Sequence, residues 1–261
     1  MKTKKLIQYA TFLVILSAAL GCADPKYKEF EKKKISELEE LVKNSSLPED
    51  ARIAKEIIEK KKEKIDNSAY GSFTDSRDGQ TYKTILMRDE KVWMAENLRY
   101  VKPKSHCYDN SDDYCQQFGR LYLWEEALDA CPKGWHLPSE TEWWNLCQGY
   151  GGAFIQLSFS QETTGVQAYE SLKAGSKFDI KLGGDGVRYR KSGKTEFRGM
   201  RSSINYWSST DHGKKVYTYE FGASIGDKKA IKKTTHFNNG KTIVKLLHLS
   251  GRSVKGRRGK K

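Results

Sequence analysis

The chain has 261 residues, enough for one domain of ordinary size plus appendages, and a formal net charge of +14 at pH 7. Its five cysteines contain no CxxC pair, which argues against the common structural zinc spacings. The excess charge is concentrated at the ends: Lys2, Lys4 and Lys5 at the start, and six basic residues with no acid in Arg252–Lys261.

The first lysines precede an apolar run, Leu6–Leu20, too short for a typical spanning helix and shaped like an export signal. It ends Ala19-Leu20-Gly21-Cys22, which resembles a bacterial lipobox. Residues 1–22 are read as a lipoprotein signal with Cys22 as the lipid acceptor, in preference to a plain secretory signal or an uncleaved anchor. That reading puts the protein in the cell envelope, lipid-anchored at the outer membrane or cell surface rather than free in the periplasm. Without Cys22, four cysteines remain: Cys107, Cys115, Cys131 and Cys147. An even number in an exported chain predicts two disulfides, with three connectivities open.

Residues 26–64 hold 12 basic and 10 acidic residues and no Gly, a composition unlike the rest. Ile35, Leu38 and Leu41/Val42 repeat at helical spacing, as do Ile53, Ile57, Ile58 and Ile65, with a break at Asn44-Ser45-Ser46-Leu47-Pro48. Segment 23–66 is therefore expected to form two mixed-charge helices, as a hairpin or a stalk. The heptads are not sustained enough for a coiled coil. Residues 67–76 read as a polar linker. All six Trp lie between Trp93 and Trp207, which marks the globular domain at 77–255, and 256–261 is a basic tail. Outside the cytoplasm such a tail meets anionic lipid or acidic polysaccharide, or is simply solvated; export argues against nucleic acid.

Within the domain, Leu123–Ala130 reads as a short helix closed by Cys131-Pro132. Ser139 and Glu142 form a capping box, in which each side chain takes the other's orphan amide. The helix is predicted over Glu140–Gln148, ending at Gly149, with Trp143 and Leu146 on one buried face and Trp144 about 100° away. Val216–Phe221 and Thr242–Leu249 alternate as strands, and Lys228–Lys233 reads as part of a hairpin.

Several blocks carry a family resemblance. Asp78-Gly79-Gln80-Thr81-Tyr82 leads to Trp93-Met94-Ala95-Glu96-Asn97-Leu98, and Cys107-Tyr108 with Cys115 precedes Gly119-Arg120-Leu121-Tyr122. The run Gly119–Trp143, the stretch from Phe178 to Gly184, Tyr206-Trp207-Ser208-Ser209-Thr210 and Gly251-Arg252-Ser253-Val254 follow. Together they resemble the Fibrobacter succinogenes major paralogous domain, a family of secreted and surface-attached bacterial modules with no established general activity. The resemblance implies an α+β, C-type-lectin-like fold with two short helices, a small antiparallel sheet and long loops. It also implies a Cys107–Cys115 disulfide, leaving Cys131 to pair with Cys147 or both as thiols. The family's usual ending carries a Cys after Ser-Val-Arg; here Ser253-Val254-Lys255-Gly256 stands in its place.

The search for chemistry excludes more than it finds. Gly222-Ala223-Ser224-Ile225-Gly226 matches a nucleophile elbow, but its surroundings read as an antiparallel meander rather than a strand, turn and helix. Asp109–Asp113 lacks the Gly and Glu of an EF-hand loop, and the motifs of calcium-dependent lectins are missing. Gly134-Trp135-His136-Leu137-Pro138 with the capped helix is also similar to a block of formylglycine-generating enzymes, whose oxidation needs a copper-binding Cys pair. His136 reads as a packed, hydrogen-bonded residue. No cofactor, metal or catalytic set is expected. Trp93, Trp124, Trp135 and Trp143 are expected in the core, whereas Trp144, Tyr189, Tyr206 and Trp207 are candidates for docking the apolar faces of sugar rings. The expected function is a non-catalytic, envelope-anchored module binding glycans or another surface component. A structural or protein-interaction lipoprotein without a small ligand is the alternative, and an oxidase of the formylglycine-generating type a remote one.

Overall fold

A computed structural model describes residues 24–152 and 154–155, residues 165–237 apart from 174, 177, 182, 190–193, 214 and 226, and the segments 243–248 and 254–255. The signal with its candidate lipid acceptor Cys22, and the tail 256–261, lie outside the described residues. The chain divides into two units, Met1–Asn67 and Ser68–Lys261. No helix among the described residues is long and apolar enough to cross a membrane.

The described residues of the first unit form three helices where two were expected over 23–66: α1 (Pro25–Glu31), α2 (Ile35–Asn44) and α3 (Pro48–Asp66). The break at Ser45–Leu47 is where the sequence put it, and α2 packs against α3 as a hairpin. The extra helix, α1, is only seven residues long, and its buried Tyr27 and Phe30 are aromatic rather than aliphatic, so the periodicity of the isoleucines and leucines passed over it. Asp24 caps it, accepting the Lys26 N–H at 2.8 Å. Tyr27, Phe30, Leu38, Ile53, Ile57 and Ile58 share one small core. Lys60 donates to the Tyr27 hydroxyl at 2.9 Å, and its Nζ lies 5.2 Å from the centroid of that ring.

The second unit is α+β. A five-stranded sheet runs in the order β1 (Gly71–Thr74), β2 (Thr81–Leu86), β3 (Val92–Met94), β13 (Val254–Lys255), β5 (Trp135–His136). A larger sheet contains β4 (Leu121–Tyr122), β12 (Ile243–His248), β7 (Gly183–Tyr189), β9 (Ile204–Asp211), β10 (Lys215–Ile225), β11 (Lys228–Phe237) and β6 (Phe154–Ile155), with β8 (Thr195–Met200) paired to β7. Among the described residues four short helices accompany them, α4 (Asp112–Phe118), α5 (Trp124–Ala130), α6 (Glu140–Gln148) and α7 (Val166–Leu172), against the two that the resemblance implied. Strand β1 occupies the stretch read as a linker. Its Phe73 ring lies 5.2 Å from Trp135, a contact far away in sequence that polar composition could not announce.

Helix α6 begins and ends where the sequence put it. The Ser139 hydroxyl accepts the Glu142 N–H at 3.2 Å, the Glu142 carboxylate accepts the Ser139 N–H at 2.8 Å, and Gly149 is the C-cap. Trp143 and Leu146 are fully buried. The elbow-like Gly222–Ile225 lies inside β10, paired antiparallel with β11, so it supports no nucleophile. Val254 pairs with both Trp93 and His136, so main-chain hydrogen bonding ties Val254-Lys255 into the first sheet.

Cys107 and Cys115 form a disulfide. Cys131 and Cys147 do not bridge, which corrects the pairing considered above. Cys147 faces the core around Trp143 and Tyr219, while Cys131, at the end of α5, packs with Trp124 and Trp135 in a separate cluster. The bridged pair encloses a 3₁₀ turn, Tyr108–Asn110, and the first turn of α4, and the Arg120 guanidinium donates to both sulfurs at 3.3 and 3.4 Å. From the closure entropy of so short a loop, C107S/C115S is expected to lose about 2–3 kcal/mol in denaturant unfolding. An unchanged midpoint would mean that side-chain packing alone holds this loop.

Candidate functional site

The blocks that carry the family resemblance turn out to build the scaffold. In Trp93–Leu98, Trp93, Met94 and Leu98 are fully buried. The Glu96 carboxylate accepts the Lys83 N–H of β2 at 2.6 Å. Asn97 donates to the Phe118 carbonyl at 2.6 Å and accepts the Tyr206 hydroxyl at 3.1 Å. Gly119 has φ 80°, and a Cβ there would sit 2.4 Å from the Asn97 Cβ, so the Gly119-Arg120 block and the Asn97 block fit only with glycine. A small cleft beside them, about 110 Å³, is lined in part by these engaged groups and in part by Tyr70, Gln116, Gln117, Asp179 and Lys181.

Three of the four aromatic candidates are displaced from a ligand-facing role by packing, or cannot be placed. Tyr206 is fully buried and Trp207 is 3% exposed. Strand β9 is central, and these two neighbours are buried on opposite faces: Tyr206 enters the core of α6, whereas Trp207 enters the core of α5 and donates to the Tyr122 carbonyl at 3.0 Å. Tyr189 ends β7, paired with Ile243, and its side chain lies outside the described residues. Trp144 is half-buried and packs against the α6 core. Trp93, Trp124, Trp135 and Trp143 are buried, in line with their sequence reading.

His136 is packed and hydrogen-bonded, as read. Its Nε2–H donates to Glu142 at 2.9 Å, and Lys91 donates to the same carboxylate at 2.8 Å. Burial pushes the Glu142 carboxyl up, but the His136, Lys91 and Ser139 donors outweigh it and hold its pKa at about 2. Asp89, beneath the Trp93 indole N–H at 2.9 Å, is pushed up to about 6, chiefly by burial. Cys147 is fully buried and its thiol pKa is raised by that burial, the reverse of what activates a cysteine.

An open group of polar side chains lies elsewhere, on the larger sheet. Alternate residues of β9 point to opposite faces. Ile204 and Tyr206 cover the α6 core, and Asn205 shares the other face with Trp207. The pairings carry that face across five strands as a single row. Arg198 of β8 is opposite Asp185 of β7, Asn205 of β9 donates to Asp185 at 3.0 Å, and Glu220 of β10 is opposite both Asn205 and Lys232 of β11. The row thus reads cation, anion, amide, anion, cation. It floors a cleft of about 300 Å³ that Gly199, Ser203 and Thr234 also line.

Half of the row is internally satisfied. Asp185, 8% exposed, accepts from Arg198 Nε at 3.2 Å and from Asn205. The other half is open: among the described residues Glu220 and Lys232 have no hydrogen-bond or ion-pair partner. Beside them the Thr234 Oγ1 is buried and unpartnered, a state that costs about 1–3 kcal/mol. Nothing in the sequence announces this row, because its five residues are scattered over 48 positions and each looks like an ordinary polar strand residue.

An aromatic chain was also missed. Phe197, Tyr108, Tyr114 and Phe118 follow one another with ring centroids 5.2, 5.7 and 6.1 Å apart, all half-exposed. Tyr108 fills the space in front of Gly184, where a Cβ would meet its ring at 2.6 Å. The disulfide loop is thereby packed onto the β7–β8 pair that presents Asp185 and Arg198.

Fold and site together define an α+β domain whose recurrent sequence blocks are structural and whose open polar row lies on the larger sheet. Residues 89–255 match the Fibrobacter succinogenes major domain, and the chain belongs to that family. No curated protein and no solved structure matches the chain.

Proposed function

We propose that this protein is a non-catalytic, lipid-anchored envelope module that binds glycan through the polar row, on a C-type-lectin-like scaffold. The observation that carries the reading is the open pair Glu220 and Lys232, facing each other across β10 and β11 beside the unpartnered Thr234 Oγ1. A sugar hydroxyl donates and accepts at once, so neighbouring hydroxyls suit a carboxylate, an ammonium and a threonine oxygen held at sheet spacing. Rigid strands hold these groups in position before binding, which lowers the ordering cost. The signal-like start and Cys22 support the envelope location and the anchor.

The test uses full-length protein in detergent micelles. Retention on insoluble cellulose and xylan, and retardation in gels containing soluble polysaccharides, are measured at low and high salt. Glu220→Gln and Lys232→Met are each expected to weaken binding by about tenfold or more, since a hydrogen bond to a charged group is worth about 1.5–3 kcal/mol. Both side chains are half-exposed, so thermal midpoints should move little. Undiminished binding by the double variant would remove the row from the site, and absence of binding to every glycan would sink the reading.

A further inference from the structure

All five residues of the row line the one cleft, and neighbouring members stand one strand apart, about 4.8 Å. From Arg198 on β8 to Lys232 on β11 there are four such steps, about 19 Å in all. The pairings make this a continuous line: Asp185 is opposite Arg198, Asn205 donates to Asp185, and Glu220 is opposite both Asn205 and Lys232. The engaged half of the row keeps hydrogen-bonding capacity of its own. Arg198, its side chain 60% exposed, uses only Nε on Asp185, so among the described residues both Nη groups are open. Asn205 is 7% exposed; its Nδ2 donates to Asp185, and its Oδ1 accepts no bond among the described residues. Donors and acceptors are thus offered along the whole line: Arg198 Nη, Asn205 Oδ1, the Glu220 carboxylate, Thr234 Oγ1 and Lys232 Nζ. The line is not flat. Adjacent strands turn by about 20–25°, so a row across five of them twists.

Resting on the glycan reading, we infer that the cleft takes about four consecutive sugars of a single extended chain, laid across the strands along the row. A pyranose in an extended, equatorially linked chain advances by close to one strand spacing, so successive sugars meet successive strands. One sugar alone would reach Glu220, Lys232 and Thr234 and leave Arg198 and the Asn205 Oδ1 unused. The flat face of a crystalline polysaccharide would touch only part of a line that twists within a cleft, whereas a single chain turns with it. The ligand class is therefore a separate polysaccharide chain recognised along its length. Arg198, at the far end of the row from Lys232, is the residue that distinguishes long chains from short ones.

Full-length protein in micelles is titrated calorimetrically with xylo-, cello- and manno-oligosaccharides of one to six residues, and pelleted with crystalline cellulose. For the series that binds, affinity is expected to rise about tenfold or more between two and four residues and to level off beyond five. Arg198→Met keeps the side-chain stem and removes the guanidinium. Asp185 retains its bond from Asn205, and the exposed ion pair contributes little to stability, so the fold should persist. This variant should weaken the tetrasaccharide about tenfold and the disaccharide less than about twofold, whereas Glu220→Gln should weaken both. Equal affinity for disaccharide and hexasaccharide, with loss on Glu220→Gln, would overturn this inference and leave the glycan reading standing. A length dependence that Arg198→Met does not alter would overturn it too, as would binding to crystalline cellulose without binding to soluble chains. Failure of every glycan to bind would overturn both.

Discussion

Trp143→Ala is expected to cost about 3–5 kcal/mol, and Trp144→Ala, one residue along, no more than about 1 kcal/mol. The two neighbours are chemically identical, but the helix sends them to different places. Trp143 is fully buried, stacks on Tyr206 and Tyr219 with centroids 5.3 and 5.6 Å away, and tilts against Trp93 at 5.1 Å. Its indole N–H donates to the Trp207 carbonyl at 3.1 Å. Truncation therefore opens a cavity among four aromatic rings, since Phe221 also touches it, and removes a buried donor. Trp144 is half-buried at the edge of the same cluster and can be replaced by solvent and small shifts. Equilibrium denaturation should separate them clearly, with the Trp143 variant melting about 10 °C or more below the parent. Equal losses would show that Trp144 carries core weight that its position does not account for.

The second large effect is on pH dependence, and it comes from two carboxyls shifted in opposite directions. Glu142 has its pKa held at about 2 against an ordinary 4.5, so its contribution is complete above pH 4.5 and is lost as pH falls through 2. The shift corresponds to about 3 kcal/mol. Asp89 is raised from an ordinary 3.8 to about 6, so folding opposes its ionisation. Its penalty is absent below pH 3.8, grows to pH 6 and is then complete at about 3 kcal/mol. These two groups together place the stability maximum near pH 4–5. Glu142→Gln should flatten the acid limb and lower the maximum. Asp89→Asn keeps an acceptor for the Trp93 indole and the Lys91 N–H, flattens the limb between pH 4 and 6, and should make the domain more stable than the parent at pH 7. Urea midpoints measured every half pH unit would decide the matter. A parent profile that is flat from pH 4 to 7 would contradict the Asp89 assignment.

Neither effect requires the glycan reading, and neither variant pair touches the polar row. Glu142 lies with His136 and Lys91 around the start of α6, and Trp143 on the opposite face of the larger sheet from Asn205 and Glu220. Loss of binding in Glu220→Gln with an unchanged pH profile would therefore separate recognition from stability.

Local chemistry was legible wherever neighbours in sequence determine the outcome. The capping box set both ends of α6, since Ser139, Glu142 and Gly149 act within one helix. The alternation of Val216–Phe221 marked β10, and the four motif tryptophans were assigned to the core from their blocks. The family itself was readable from Trp93–Leu98 and Gly119–Trp143. These blocks are distinctive because each residue has a packing or hydrogen-bonding duty, and for the same reason they reveal little about function.

Local sequence is enough for the identity of the domain, the frame of its capped helix and the tryptophans at its centre. Long-range packing is what encloses Tyr206 and Trp207, stands Cys131 and Cys147 in separate cores, and brings β1 into a sheet. It also decided that Arg198, Asp185, Asn205, Glu220 and Lys232 form one row. The reason is physical. A strand's own residues set which side chains alternate, but the partner strand and its register decide which of them meet, and a shift of one residue in any of these strands would turn its member of the row to the other face. That register comes from pairings between distant segments and from the core packed beneath them, and no local stretch of chain contains it.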